Sequence, residues 1–183
     1  MTIERYSWVD KAKFRQAIAG YNAEFHKGLI IPELVNPGLI FTNPGSCMMV
    51  SKDDGVTDGI LCYNLVMVYE PFDLTSFLGE LYGERLRDNK DNKGYEIDLE
   101  NSIEFDGLLN GSWVAHVNAV EAFKNGAGRK LMRELKKEAK IEGICLRPLT
   151  ERLIKYYRRI GFSESGLHVI LKDAKSPIML CKK

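Results

Sequence analysis

The clearest pattern of apolar and polar positions begins at Ser112. Trp113, Ala115, Val117 and Ala119 fall on one face of a strand, and Val114, His116, Asn118 and Val120 on the other. A glycine-bearing turn, Lys124-Asn125-Gly126-Ala127-Gly128-Arg129, hands the chain to a helix. In that helix Leu131, Leu135 and Ala139 recur four apart with Met132 beside them, and Gly143 is its expected end. Ile144–Leu146 reads as a short strand. Thr150 is placed to cap a second helix that buries Leu153, Tyr156, Tyr157 and Ile160 and stops at Gly161. Two last strands, Leu167–Leu171 and Ile178–Cys181, are expected on either side of a turn containing Pro177. The order strand, helix, strand, helix, strand, strand predicts an α/β or α+β layered domain around a mixed sheet.

The N-terminal part is patterned more weakly. Phe14, Ile18, Tyr21 and Phe25 predict an amphipathic helix over residues 10–26. Two Asn-Pro-Gly triplets, 36–38 and 43–45, mark turns. Cys47–Lys52 and Ile60–Val68 read as the arms of an antiparallel hairpin joined through Asp53–Gly59. Asp73 or Thr75 caps a further expected helix carrying Phe77, Leu78, Leu81 and Leu86. Residues 87–110 are polar and turn-rich, with room for a short strand near Tyr95–Leu99. No repeat or long linker divides the chain, so a single domain over 1–183 is expected, with a helix and hairpin half, 1–111, and a second half, 112–183.

Composition fits this picture. The chain has 183 residues, of which 45% are hydrophobic and 28% charged, the mixture of a globular protein rather than a disordered tail. No apolar run reaches the roughly 20 residues of a membrane-spanning helix, and the start lacks the apolar core of a secretory signal. Cys47, Cys62, Cys145 and Cys181 form no CxxC pair, and His26, His116 and His168 have no zinc-ligand spacing. The expectation is therefore a cytoplasmic protein with no bound metal and no partner membrane. Charge alters the picture more than composition does. Residues 1–123 carry a net −9, whereas residues 124–159 carry a net +8. A strongly anionic partner, a phosphorylated cofactor or a nucleic acid, suits that basic stretch, and so does a plain solvated helix face.

The turn at 124–129 concentrates the chemistry. Glycine lets the backbone approach a ligand closely, and the first turn of a helix offers unpaired N–H groups at the positive end of its dipole. Together they suit a diphosphate, and Lys124, Arg129 and Lys130 add charge beside it. The ATP-binding pattern GxxxxGK[ST] is absent, and Gly126-Ala127-Gly128 lacks the third glycine of the dinucleotide pattern GxGxxG. A tight strand-to-helix turn holding no ligand is the other reading of the same residues.

In content and order, the strand HVNAV, the turn FKNGAG, the helix and the later YYRRIGF resemble the GNAT-type N-acetyltransferases. That family writes its phosphate turn as [Q/R]-x-x-G-x-[G/A] and ends a later helix in Tyr-x-x-x-Gly-Phe. Residues 123–128 match both small positions but place Phe123 where Gln or Arg is usual, and Tyr157-Arg158-Arg159-Ile160-Gly161-Phe162 matches the second signature throughout. The resemblance covers residues 112–183 and implies a mostly antiparallel central sheet flanked by helices.

It also implies acetyl-CoA as the acyl donor. Backbone groups of Asn118, Ala119 and Val120 would align its pantetheine arm, and the amides of Lys124, Asn125, Gly126, Ala127, Gly128 and Arg129 would take its diphosphate. Tyr157 stands where the family keeps a general acid, and Glu121 and His116 are the candidate bases for the attacking amine. The implied acceptor is a primary amine: a protein lysine or N-terminus, or a small cationic amine. A toxin-like variant acting on aminoacyl-tRNA, a non-catalytic nucleic-acid-binding protein and an interaction module on the same fold are the alternatives. A homodimer is compatible with each of them.

Overall fold

In a computed structural model of the protein, which describes residues 2–7, 10, 12–13, 45–67, 95–98, 111–171 and 174–183, the first strong local signal is a turn. Asp54 and Gly55 both have positive φ, 50° and 81°. That is the pattern of a type I′ turn, whose twist matches the strands it joins. It connects β2 (Ser46–Asp53) to β3 (Val56–Met67), the expected antiparallel hairpin with a tighter loop than the sequence pattern indicated. Ahead of it, β1 (Thr2–Ser7) pairs antiparallel with β2, Ile3 opposite Ser51 and Ser7 opposite Cys47. Two ion pairs hold β1 from its two faces. Glu4 meets Lys52 at 2.9 Å, and Arg5 meets Glu138 at 2.6 Å.

The contacts group the chain into two compact units, Met1–Leu65 with Val117–Glu138, and Val66–His116 with Ala139–Lys183. β5 (Trp113–Ala122) contributes to both. In the first unit the strand order is β1-β2-β3-β5, and α1 (Ala127–Lys136) buries Ala127, Leu131, Met132 and Leu135. Met48, Met49, Ile60 and Leu61, none more than 2% exposed, are among its largest buried side chains and lie two on each face of the hairpin. The burial of these side chains is the main favourable term holding the unit together.

In the second unit the order is β5-β6-β8-β7-β4, with β6 (Ile141–Leu146), β8 (Ala174–Lys182), β7 (Ser163–Leu171) and β4 (Tyr95–Asp98). β6·β8, β7·β8 and β4·β7 are all antiparallel. Its helix, α2 (Glu151–Arg159), is capped by the Thr150 side chain, which accepts from the Leu153 amide at 3.3 Å. Gly161, with φ 93°, lies just beyond its end. The expected arrangement, a mostly antiparallel sheet with helices packed on it, is present.

Three details differ from the expectation. α1 stops at Lys136 rather than near Gly143, and Gly143 lies inside β6 opposite Lys182. The helical stripe runs out after Leu135, and strand burial of Ile141 and Ile144 takes over. Pro177 belongs to β8 and not to a turn. It pairs with His168 where the β7·β8 register shifts, the kind of irregularity that accommodates a residue without an N–H. In α2 the buried residues are Ile154 and Tyr157, while Leu153 is 36% exposed and Tyr156 and Ile160 are half-buried.

The short strand expected near Tyr95–Leu99 is β4. Of the N-terminal helix only residues 12–13 are described, and they are helical. The first Asn-Pro-Gly triplet, most of the second and the helix expected after Asp73 lie outside the described residues. Among the described residues no helix is long and apolar enough to cross a membrane, and no cluster of His, Cys, Asp and Glu could hold a metal ion.

Candidate functional site

The turn after β5 is anchored by an irregularity in β3. Ser51 pairs with Gly59 but Lys52 with Thr57, so Asp58 is the extra residue of a bulge. Its carbonyl accepts two hydrogen bonds from the start of the turn, from the Phe123 amide at 2.9 Å and the Lys124 amide at 3.3 Å. Next the Ala127 amide donates to the Lys124 carbonyl at 3.1 Å. Gly126, with φ 90° and ψ −15°, occupies the third position of this four-residue turn. That is type II geometry, which requires positive φ there. Gly126 is also the N-cap of α1 and contributes no capping side chain.

This geometry sorts the amides expected to cradle a diphosphate. Those of Lys124 and Ala127 already donate within the protein. Among the described residues, those of Asn125, Gly126, Gly128 and Arg129 have no acceptor. They converge at the start of α1, where the helix dipole adds about half a positive charge.

The two turn glycines differ in what surrounds them. A Cβ on Gly126 would meet nothing within 4 Å, so this face of the turn is open. A Cβ on Gly128 would sit 3.5 Å from the Ala122 Cβ and the Val120 Cγ1, in ordinary contact with β5. A third glycine matters that the sequence reading passed over. A Cβ on Gly59 would come within 3.1 Å of both the Ala127 Cβ and the Leu131 Cδ1, and within 3.2 Å of the Glu121 carbonyl. The missing side chain at Gly59 is what lets the first turn of α1 lie down on β3 and β5. An isolated glycine within a strand pattern was the available signal.

The flanking cations also divide. Lys124 forms an ion pair with Asp53 at the hairpin tip; that hydrogen bond chiefly raises the lysine pKa and lowers the Asp53 pKa. Lys130 turns back toward β2, its Nζ 3.3 Å from the Ser51 Oγ. Arg129 is exposed and makes no contact to an acceptor among the described residues, which leaves its guanidinium available at the turn.

The other expected site residues lie on either side of the turn. Asn118, Ala119, Val120 and Glu121 are half-buried along β5. The Glu121 carboxylate lies near enough to Cys62 to add to burial in pushing that thiol up to about 12. His116 is only 1% exposed, in the part of β5 that belongs to the second unit.

Tyr157 also belongs to the second unit. Its ring packs edge-on against Tyr156 at 5.2 Å and Phe162 at 5.4 Å, and the residue is 7% exposed. Burial pushes its pKa up to about 12. The hydroxyl has no hydrogen-bond partner among the described residues, yet it is not sealed. Among the described residues the Asp58 Oδ1 is the one fully buried side-chain oxygen or nitrogen without a partner. Tyr157 thus carries a proton through the neutral range and keeps it at the edge of an otherwise apolar packing.

No protein-family model and no curated protein matches the sequence. Solved structures do. An acyl-CoA N-acyltransferase from Pseudomonas aeruginosa is 14% identical with a TM-score of 0.54, and the match covers 98% of both chains. A histone acetyltransferase and related acetyltransferase from Corynebacterium glutamicum is 16% identical with a TM-score of 0.53, over 100% of this chain and 98% of that one. A ribosomal-protein-alanine N-acetyltransferase from Brucella melitensis is 18% identical with a TM-score of 0.52, over the full length of both chains.

Proposed function

The fold is that of the GNAT-type N-acetyltransferases, and we propose that the chain is an enzyme of that kind, moving an acetyl group from acetyl-CoA to a primary amine. The observation that carries this reading is the set of unspent amides at Asn125, Gly126, Gly128 and Arg129 beside an open glycine face. A fold alone does not assign an activity. Unpaired donors, a helix N-terminus and a free guanidinium in one turn form a site for a diphosphate, whatever the identity of residue 123. Phe123 contributes through its backbone, which is fixed to Asp58.

In this reading the amides of Gly126, Gly128 and Arg129 hold the diphosphate, and the Arg129 side chain adds a charge-assisted contact. Backbone groups of Asn118–Val120 align the pantetheine arm, and a β5 amide near Val120 stabilises the oxyanion that forms on amine attack. Tyr157 supplies the proton that the departing thiolate takes up. A hydroxyl pKa of about 12 suits a donor that must stay protonated until the step occurs. Glu121, half-buried near the end of β5, is the better-placed of the two candidate bases. His116, shut off from solvent, fits a structural role. The net −9 of residues 1–123 favours a cationic acceptor.

Calorimetric titration with acetyl-CoA, acetyl-pantetheine and adenosine 3′,5′-bisphosphate tests the site, and thiol release over a panel of amines tests the reaction. The expected result is binding that needs the diphosphate and release of free thiol with at least one amine. Binding without turnover on any amine would leave an interaction module on the same fold. No binding of acetyl-CoA would refute the proposal.

A further inference from the structure

The solvent side of α2 carries a second feature that acyl transfer does not use. Arg152, Lys155 and Arg159 are all exposed, and none has an acidic partner among the described residues. At i, i+3 and i+7 they fall within about 60° of one another on the helix and repeat along its whole length. Glu151 is exposed on the flank that carries Arg158, and Arg158 is itself paired with Glu164. Glu151 stands one turn before Lys155, so the stripe keeps a net positive charge on α2 with a single acidic neighbour at its start.

At its N-terminal end, on the flank next to Arg152, lie two exposed leucines, Leu149 at 65% and Leu153 at 36%. The exposure of Leu149 is enforced by its neighbours. The Pro148 carbonyl accepts from the Ser176 Oγ at 2.5 Å, and Thr150 caps the helix. A hydrophobic residue just before an N-cap ordinarily packs on the fourth helical residue, here Ile154. At 65% exposed, Leu149 leaves most of its side chain out of that contact.

We propose that this face of α2 docks an acidic polypeptide segment bearing aliphatic side chains, with Arg152, Lys155 and Arg159 pairing its carboxylates and Leu149 and Leu153 covering its apolar residues. The charge complementarity calls for an anionic partner, and the leucines select among anions. Sites for single-stranded nucleic acid add to their basic groove aromatic rings on which bases stack, whereas Tyr156 is half-buried with its ring set edge-on to Tyr157. Two leucines add little to a phosphate contact, but they suit an acidic, aliphatic peptide. Such docking is independent of whether the protein transfers an acetyl group.

The test is fluorescence anisotropy with a short labelled peptide of glutamates interspersed with leucines. A single-stranded RNA of equal charge and phosphatidylserine vesicles serve as the other arms. The expected result is salt-sensitive peptide binding, weakened about tenfold or more by Arg152→Glu with Arg159→Glu. Leu149→Ser with Leu153→Ser should weaken it about threefold, since part of each leucine is buried on docking. Circular dichroism shows whether each variant still folds, and Arg152→Gln with Arg159→Gln supplies a milder substitution if charge reversal unfolds α2. Absent peptide binding, binding that ignores these substitutions, or tighter binding of RNA or vesicles would overturn the proposal.

Discussion

Gly59→Ala adds one methyl group beneath the first turn of α1. Its Cβ would stand 3.1 Å from the Ala127 Cβ, 3.1 Å from the Leu131 Cδ1 and 3.2 Å from the Glu121 carbonyl. The leucine methyl can rotate away. The other two atoms are fixed to helix and strand backbone, so α1 itself must rise by a few tenths of an ångström. Overpacking of this kind costs about 1–3 kcal/mol, and replacing a strand glycine returns about 0.5–1 kcal/mol of chain entropy. The net loss is about 1 kcal/mol or somewhat more, a fall in Tm of roughly 2–6 °C for a chain of this size.

Gly128→Ala is the matched opposite. Its Cβ would make ordinary contacts at 3.5 Å, and alanine gains up to about 1 kcal/mol over glycine within a helix. Calorimetric melting should therefore move the two variants in opposite directions. Acetyl-CoA affinity should fall only in Gly59→Ala, where the helix start is displaced. If Gly59→Ala melts at or above the wild-type temperature, the packing argument for the position of α1 fails.

The remaining expectations concern the turn and the tyrosine. Gly126→Glu should abolish acetyl-CoA binding in calorimetry and leave the protein folded. Its side chain enters open space with a repelling charge, and the left-handed backbone costs it about 1–2 kcal/mol. Arg129→Ala should weaken acetyl-CoA more than Lys124→Ala does, because Lys124 is already engaged by Asp53; equal losses would mean that the ion pair opens on binding. Tyr157→Phe should lower kcat and leave the acetyl-CoA Kd near normal, and undiminished turnover would return Tyr157 to a packing role. The Tyr157 pKa is raised from 10 to about 12 in the folded state. The stabilisation linked to it is therefore complete below pH 10 and is lost as the pH climbs to 12, which alkaline unfolding of wild type against Tyr157→Phe measures.

What the sequence disclosed follows from the physics of each signal. β5, the turn, α1 and α2 were legible because their apolar residues repeat with a clear period and glycine or threonine punctuates them. The β2–β3 hairpin was legible as well, but its join was read over Asp53–Gly59, whereas the turn is Asp54-Gly55 alone. β1 was not, since only Ile3 and Tyr6 are apolar and its fixation comes from ion pairs with distant residues. Gly143 and Pro177 misled because local propensity yielded to tertiary pairing, with β8 in the first case and with β7 in the second. Within the site, the motif located the turn but not which amides are free. That division depends on the Asp58 bulge and on the Lys124–Ala127 hydrogen bond, neither of which leaves a mark in residue type.

The most direct measurement is the amide NMR spectrum of the folded protein during titration with acetyl-CoA. The amides of Gly126, Gly128 and Arg129 should move downfield and saturate together, while those of Phe123, Lys124 and Ala127, already bonded within the protein, move far less. A saturating titration in which those three amides stay still would contradict the account.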